Sequence, residues 1–199
     1  MKRVLNVGGN SKDIALPPQY AGFEHLLLDI DPRGDPDICC DARELRSLAE
    51  EQFDAIYCSH NLEHYYRHDV PRVLAGFLHA LKPGGFAHIR VPDLNDLFRQ
   101  VVARKLDVED VLYTSSLGPI MVLDVIYGYS VEIERSRQDF YAHKTGFTEK
   151  SLVAALKHAG FGDIVHRTGS LEIEAVAFKG QPLAENIRLW ALPVPEQQP

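Results

Sequence analysis

The sequence predicts an α/β fold on a doubly wound, mostly parallel sheet of about seven strands, and three observations carry that expectation. Short apolar runs bounded by turn residues alternate with stretches of helical period along most of the chain. The 199 residues, 45% of them apolar, suffice for one substantial core and fall short of two. Near the C-terminal end, two apolar runs are joined by a turn far shorter than the roughly dozen residues that a parallel crossover needs.

Strands are expected at Arg3 to Val7, His25 to Ile30, Asp54 to Cys58, Phe86 to Val91, Gly162 to His166 and Glu172 to Phe178, with a weaker one at Asp37 to Cys40. Helices are expected at Glu44 to Glu51, Asp69 to Leu81 and Thr148 to Ala159. In the second of these Val70, Val73, Leu74, Phe77, Leu78 and Leu81 share one face, and Lys82-Pro83-Gly84-Gly85 stops it. Thr148 opens the third and Gly160 closes it. The last two strands, joined at Arg167-Thr168-Gly169-Ser170, form an antiparallel hairpin.

One domain is expected over 1–182. Within it, 94–142 shows no clean strand but carries Tyr113, Tyr127, Tyr129, Tyr141 and the apolar stretch Ile120 to Ile126. An insertion of this length after a central strand serves as a lid or substrate-binding element. Over 183–199, Leu183 to Leu192 makes an amphipathic helix and Pro193 to Pro199 a frayed tail.

Composition narrows the partners. With 21 Lys and Arg against 28 Asp and Glu, the net charge of −7 supplies no positive field for phosphate backbones or anionic lipid. Nucleic acid is therefore disfavoured as a partner, and no apolar run is long enough to cross a bilayer. The first residues lack the apolar core of a signal peptide, so a cytoplasmic location is expected. Cys39, Cys40 and Cys58 suit a reduced compartment, with packing as their role.

The first strand ends in Val7-Gly8-Gly9-Asn10, where bare backbone can approach a ligand. The following Ser11, Lys12 and Asp13 exclude both the G-x-G-x-x-G fingerprint and a P-loop. About twenty residues on, Asp29 ends the second strand, where a carboxylate can accept the hydroxyl protons of a ribose. Cys40-Asp41-Ala42 and Ser59-His60 supply two further edges.

In Leu5-Asn6-Val7-Gly8-Gly9-Asn10, Leu28-Asp29-Ile30, Asp41-Ala42, Phe53-Asp54-Ala55-Ile56, Asn61-Leu62-Glu63-His64, Leu81-Lys82-Pro83-Gly84-Gly85 and Ala159-Gly160-Phe161, the chain resembles the methyltransferase type 11 group of class I S-adenosylmethionine-dependent methyltransferases. The resemblance implies a Rossmann-like sheet of seven strands with the last one antiparallel, and S-adenosyl-L-methionine as co-substrate. It places Gly8 and Gly9 against the methionine part, Asp29 on the ribose, Asp41 at the adenine amino group, Ile30 and Ala42 beside the adenine ring, and Ser59 and His60 under the methionyl end. Asn6 stands where the group has an acidic residue and Asn10 where it has a second loop glycine, and both count among the cofactor-binding residues. Only about a dozen residues, including Leu16-Pro17-Pro18, join this loop to the second strand, so the first crossover must be short or irregular.

Methyl transfer from a sulfonium needs alignment and water exclusion, and a base only where the acceptor must lose a proton. His64 and His143, which the resemblance puts on the substrate side, are the candidate bases, with Asp93 a third that could equally cap the next helix. His60, His64 and His68 recur every four residues, but a loop at His60 breaks their common face, and no metal site is expected. The leading expectation is methylation of a small-molecule acceptor. Alternatives are a protein or RNA methyltransferase, or a non-catalytic cofactor-binding regulatory or scaffold module in which Ile120 to Ile126 forms a homodimer interface. The missing third glycine disfavours a nicotinamide dehydrogenase.

Overall fold

The computed structural model describes residues 1–116 and 118–190. Seven strands make the main sheet: β1 (Arg3–Val7), β2 (Glu24–Asp29), β3 (Ile38–Cys39), β4 (Phe53–Ser59), β5 (Leu81–Pro92), β8 (Ile164–Gly169) and β9 (Glu172–Phe178). Their order is β3-β2-β1-β4-β5-β9-β8. The first five are mutually parallel, whereas β9 runs antiparallel to both β5 and β8. The antiparallel end is the hairpin expected from the sequence. Its turn is tighter than expected: Ser170 and Leu171 both take positive φ (52° and 64°), the twist-matching geometry of a two-residue hairpin.

Residues 81–85 belong to β5 instead of a free turn. Phe53 pairs with Leu81 and Ala55 with Phe86, so Lys82 to Gly85 bulge out of the ladder, with Gly84 at φ 73°. The C-terminal helix α6 (Ala184–Leu189) docks there, because Asn186 Nδ2 donates to the Gly84 carbonyl at 2.8 Å. This helix is shorter than the expected Leu183 to Leu192, and Pro193 to Pro199 lie outside the described residues.

Helix α1 (Val70–Ala80) forms as its period predicts, with Pro71 in the first turn, where its missing N–H costs nothing. Val73, Leu74 and Phe77 are fully buried against β1, β4 and β5, each contributing about 2 kcal/mol by leaving water. Helix α5 (Glu149–Ala159) is opened by Thr148, which accepts from the Ser151 N–H, and closed by Gly160 at φ 104°.

Two expectations fail. Glu44 to Glu51 is not an α-helix: Ala42–Ser47 is a 3-10 turn in which Asp41 accepts from the Arg43 N–H and Ser47 Oγ donates to the Glu44 carbonyl. Such local bonds compete with the α-helical ladder. The other concerns 94–142, where no strand was expected. It holds α2 (Leu94–Arg104), the antiparallel pair β6 (Val111–Ser115) and β7 (Gly118–Met121), α3 (Val122–Tyr127) and α4 (Ser130–Ser136). Leu97, Leu112, Ile120, Val122 and Val125 pack into a small core of their own. Within the apolar stretch Ile120, Val122 and Val125 are buried in the chain, while Met121, Leu123 and Ile126 stay partly exposed. Leu171 joins this core from the hairpin tip. Its N–H donates to Asp96 Oδ2 at 3.1 Å and its carbonyl accepts from the Asp93 N–H at 2.9 Å. The first crossover, between β1 and β2, is irregular as expected, with one 3-10 turn at Pro18–Tyr20.

Candidate active site

Because β1, β2, β4 and β5 are parallel, their carboxyl ends gather Gly8–Asn10, Asp29–Asp31, Ser59–Asn61 and Pro92 along one edge. At this edge the Gly8 N–H donates to the Leu28 carbonyl at 2.8 Å, with φ 70°. A Cβ on Gly8 would come within 2.0 Å of the Asn61 side chain, and one on Gly9 within 2.1 Å of Asn6. Close approach requires glycine at both positions, and at Gly8 the positive φ requires it as well.

Asn6 is 3% exposed and lies beneath the loop, with Nδ2 3.3 Å from His25 Nε2. Its place is support under Gly9. Asp29 accepts the Asn10 N–H on Oδ2 and the Asp31 N–H on Oδ1, both at 2.9 Å, so it ties the two loops together. Each carboxylate oxygen keeps a second lone pair. Asn10 itself takes φ 62°.

Ile30, 42% exposed, shares a cavity of about 210 Å³ with Asp41, Asn61, His64, Tyr65 and Phe140. Ala42 lies buried beside it. Arg43 grips Asp41 through Nε at 3.0 Å and a terminal nitrogen at 2.6 Å. Burial alone would raise the Asp41 pKa, but Arg43 outweighs it and holds the carboxyl below its ordinary value. Ser59 is half-buried at the end of β4, and His60 follows at φ 49°.

His60, Glu63, His64 and His143 converge beside this edge. His60 Nδ1 is 3.5 Å from Glu63 Oε1, and His60 Nε2 is 3.0 Å from Glu172 Oε2. Glu172 is in turn held by Arg90 at 2.8 Å, and Arg90 donates to Tyr57 at 3.3 Å. Burial pushes the His60 pKa down, yet the carboxylates of Glu172 and Glu63 prevail and raise it to about 9. Glu63 is 1% exposed, and neither carboxylate oxygen has a hydrogen-bond partner. Burial would raise its pKa too, but the surrounding imidazoles, His60 foremost, hold it below the ordinary range. His143 lies 4.0 Å from Glu63, its own pKa lowered chiefly by burial.

Both candidate bases are fixed in one tautomer. His64 Nδ1–H donates to the Ala142 carbonyl at 3.2 Å and His143 Nδ1–H to that of Val125 at 3.0 Å, so each Nε2 carries the lone pair. Their rings meet edge to face at 4.8 Å. Asp93 is placed differently: it is 2% exposed, accepts the Asn95 N–H at 2.9 Å as the cap of α2, and stands outside the imidazole cluster.

A second cavity, of about 310 Å³, lies between the end of β5 and the 94–142 segment. His60, Tyr113, Asp124, Tyr129, His143 and Glu172 line it. Of the other two tyrosines, Tyr127 is 61% exposed, and Tyr141 donates to Asp31 at 2.7 Å while accepting from Arg33 at 2.9 Å. That contact fastens the segment to the end of β2.

Between the candidates His60 and His64 stand Asn61 and Glu63, which belong to the segment that carries the resemblance but for which no role was expected. Asn61 packs on Gly8 with a buried Oδ1 that has no partner. Glu63 is the acid at the centre of the imidazoles. Its place in Asn61-Leu62-Glu63-His64, flanked by His60 and His64, is its local signal, and nothing local marks Glu172 or Arg90.

Residues 22–89, from the approach to β2 into β5, match the family model described as a methyltransferase domain, of type 11. Over this third of the chain the sequence is that of a methyltransferase domain, an S-adenosylmethionine-dependent enzyme with S-adenosylmethionine as its methyl donor.

Among solved structures, a SAM-dependent methyltransferase from Archaeoglobus fulgidus aligns at TM-score 0.56 and 16% identity, over 89% of this chain and 86% of its own. An O-methyltransferase family protein from Burkholderia thailandensis aligns at 0.58 and 10%, over 90% of this chain but 51% of its own, so this chain spans about half its length. The 1,6-didemethyltoxoflavin-N1-methyltransferase of Burkholderia thailandensis, with bound 1,6-didemethyltoxoflavin and S-adenosylhomocysteine, aligns at 0.51 and 19%, over 89% of this chain and 71% of its own. At these identities the likeness is one of fold. No curated protein matches the sequence. Among the described residues, no helix is long and apolar enough to cross a membrane.

Proposed function

We propose that the protein methylates a small-molecule acceptor held between the end of β5 and the 94–142 segment. The observation that carries this reading is the cavity of about 310 Å³ lined by Tyr113, Tyr129, His60 and His143, a pocket rather than a polymer groove. The 1,6-didemethyltoxoflavin-N1-methyltransferase, whose structure holds 1,6-didemethyltoxoflavin, supports the same class of acceptor.

The residues at the sheet edge fit the donor. Gly8 and Gly9 offer bare backbone, and the unpartnered Asn61 Oδ1 offers an acceptor for the methionyl ammonium. The spare lone pairs of Asp29, beside Asn10, take the ribose hydroxyls. Ile30, Asp41 and Ala42 border the adenine, with Ser59 and His60 towards the methionyl end. Asn6 acts from beneath by holding Gly9. When bound, the donor supplies an electrophilic methyl on a sulfonium, displaced in line by the acceptor. The 94–142 segment, fastened by Tyr141, acts as the lid that excludes water. His64 and His143 are the activating pair for an acceptor that must lose a proton, with Asp93 left to its cap. The three unpaired cysteines fit a cytoplasmic location.

Calorimetry with S-adenosylhomocysteine, together with mass spectrometry of a panel of hydroxyl and amine acceptors, tests the reading. Asp29→Ala is expected to weaken donor binding about 10- to 100-fold by removing charge-assisted hydrogen bonds. Methylated product from protein or RNA substrates, with none from small molecules, would overturn the acceptor class.

A further inference from the structure

We propose that Glu63, His64 and His143 bind a divalent first-row metal ion, with coordination positions left open toward the acceptor cavity. This departs from the sequence expectation of no metal, which considered the trio His60, His64 and His68. The fold does not gather that trio, since the His68 side chain is 79% exposed. It gathers instead a buried acid and an imidazole that returns from beyond the 94–142 segment.

Two independent observations point to an ion. One ligand atom from each of Glu63, His64 and His143 lies within 4.8 Å of the others, wider than the roughly 3.4 Å that ligands at tetrahedral metal distances keep, so an ion would draw the three inward. Separately, both oxygens of Glu63 are buried with no hydrogen-bond partner among the described residues, only imidazoles standing at 3.5 Å and beyond, so a carboxylate there is short of contacts that a coordinated cation would complete. The second shell agrees. Each histidine spends its Nδ1–H on a backbone carbonyl, which fixes the ring and leaves Nε2 as a lone-pair donor, as metal-bound imidazoles do.

Two imidazoles and one carboxylate suit zinc, cobalt, iron or manganese and disfavour magnesium and calcium. Three protein ligands with open positions are the arrangement of reactive sites, as opposed to closed structural ones. His64 also lines the cavity beside Ile30 and Asp41, and His143 the one beside Tyr113, so an ion on Glu63 stands between the two spaces. It would ligate an acceptor oxygen and lower the pKa of its hydroxyl, the proton passing to solvent; His64 and His143 would then activate the acceptor by holding the ion, since their Nε2 lone pairs are given to it. Only this use of the ion rests on the proposed acceptor position.

The test is calorimetric titration of chelator-stripped protein with Zn²⁺ and Mn²⁺, with Mg²⁺ for comparison, and absorption spectroscopy of the Co²⁺-loaded form. One Zn²⁺ per chain is expected, with Mg²⁺ far weaker. Glu63→Gln and His143→Ala should each weaken Zn²⁺ binding at least about 100-fold, while His68→Ala leaves it unchanged. Retained S-adenosylhomocysteine binding shows that each variant is folded. Absence of Zn²⁺ and Mn²⁺ binding, or binding that survives both Glu63→Gln and His143→Ala, would overturn the site. A confirmed ion in a protein that methylates no small molecule would leave the site standing and remove the acceptor reading instead.

Discussion

Around His88 both ring nitrogens are bonded, whereas around Glu63 both carboxylate oxygens are left open. His88 is 1% exposed; its Nδ1 accepts from the Tyr20 hydroxyl at 3.1 Å and its Nε2–H donates to Glu174 at 2.8 Å. Glu174 is also held by Arg167. Tyr57 and Trp190 close over the ring. Glu63 is equally buried and equally surrounded by histidine, but the cluster is incomplete. A buried polar network whose members all have partners stabilises a fold, and one left open at a cleft is held in readiness for a ligand. The two histidine–glutamate clusters thus differ in that one is closed and the other is the one proposed above to take a ligand.

The largest expected effect is on the closed cluster. His88→Ala removes two hydrogen bonds and leaves a cavity, and urea unfolding should show a loss of about 3 kcal/mol. Acid probes the same cluster without mutation. Burial outweighs Glu174 and lowers the His88 pKa from 6.5 to about 4. The unfolded chain therefore takes up a proton below pH 6.5 that the folded chain refuses until near pH 4, and stability falls as pH drops between the two. About 2 kcal/mol should be lost between pH 6.5 and 4.5, and His88→Gln should flatten that slope. An unchanged slope would mean that His88 is not the group responsible.

Glutamine exchanges set the two clusters directly against each other. Glu174→Gln should cost about 1 to 2 kcal/mol by weakening charge-assisted bonds. Glu63→Gln in metal-free protein should lower the melting temperature less than Glu174→Gln does, since Glu63 loses only ion pairing to imidazoles at 3.5 Å and beyond and no hydrogen bond. A marked loss at Glu63 would erase the distinction. The smallest effect belongs to the fastening at Tyr141. Tyr141→Phe should cost at most about 1 kcal/mol, because Asp31 keeps Arg33, yet limited proteolysis should cut the 94–142 segment faster.

Elements whose signal is local were legible in the sequence. Val70, Val73, Leu74 and Phe77 repeat at helical spacing and become the buried face of α1, and Thr148 and Gly160 bound α5 as their chemistry requires. The β6–β7 pair was not legible, because Val111 and Tyr113 are 48% and 44% exposed and the four-residue second strand opens on Gly118-Pro119. Such a half-solvated hairpin shows no clean alternation of apolar and polar residues. The sheet edge carrying Gly8, Asp29 and Ser59 could be read from strand ends alone. The meeting of Glu63 with His143 could not, since it exists only once the 94–142 segment has folded back. Nor does sequence show which side of a loop a residue takes, as with Asn6 beneath Gly9.

Leu171 makes the segment less interchangeable than its separate core suggests. It lies outside 94–142, on a hairpin tip bent through two positive φ angles, yet it packs into that core and bonds both Asp93 and Asp96. A chimaera that borrows the segment from a relative with a different acceptor would therefore inherit a mismatched seam at the far end of the sheet. Such grafts should exchange the β8–β9 tip together with the segment, as a single inherited unit split across two stretches of chain.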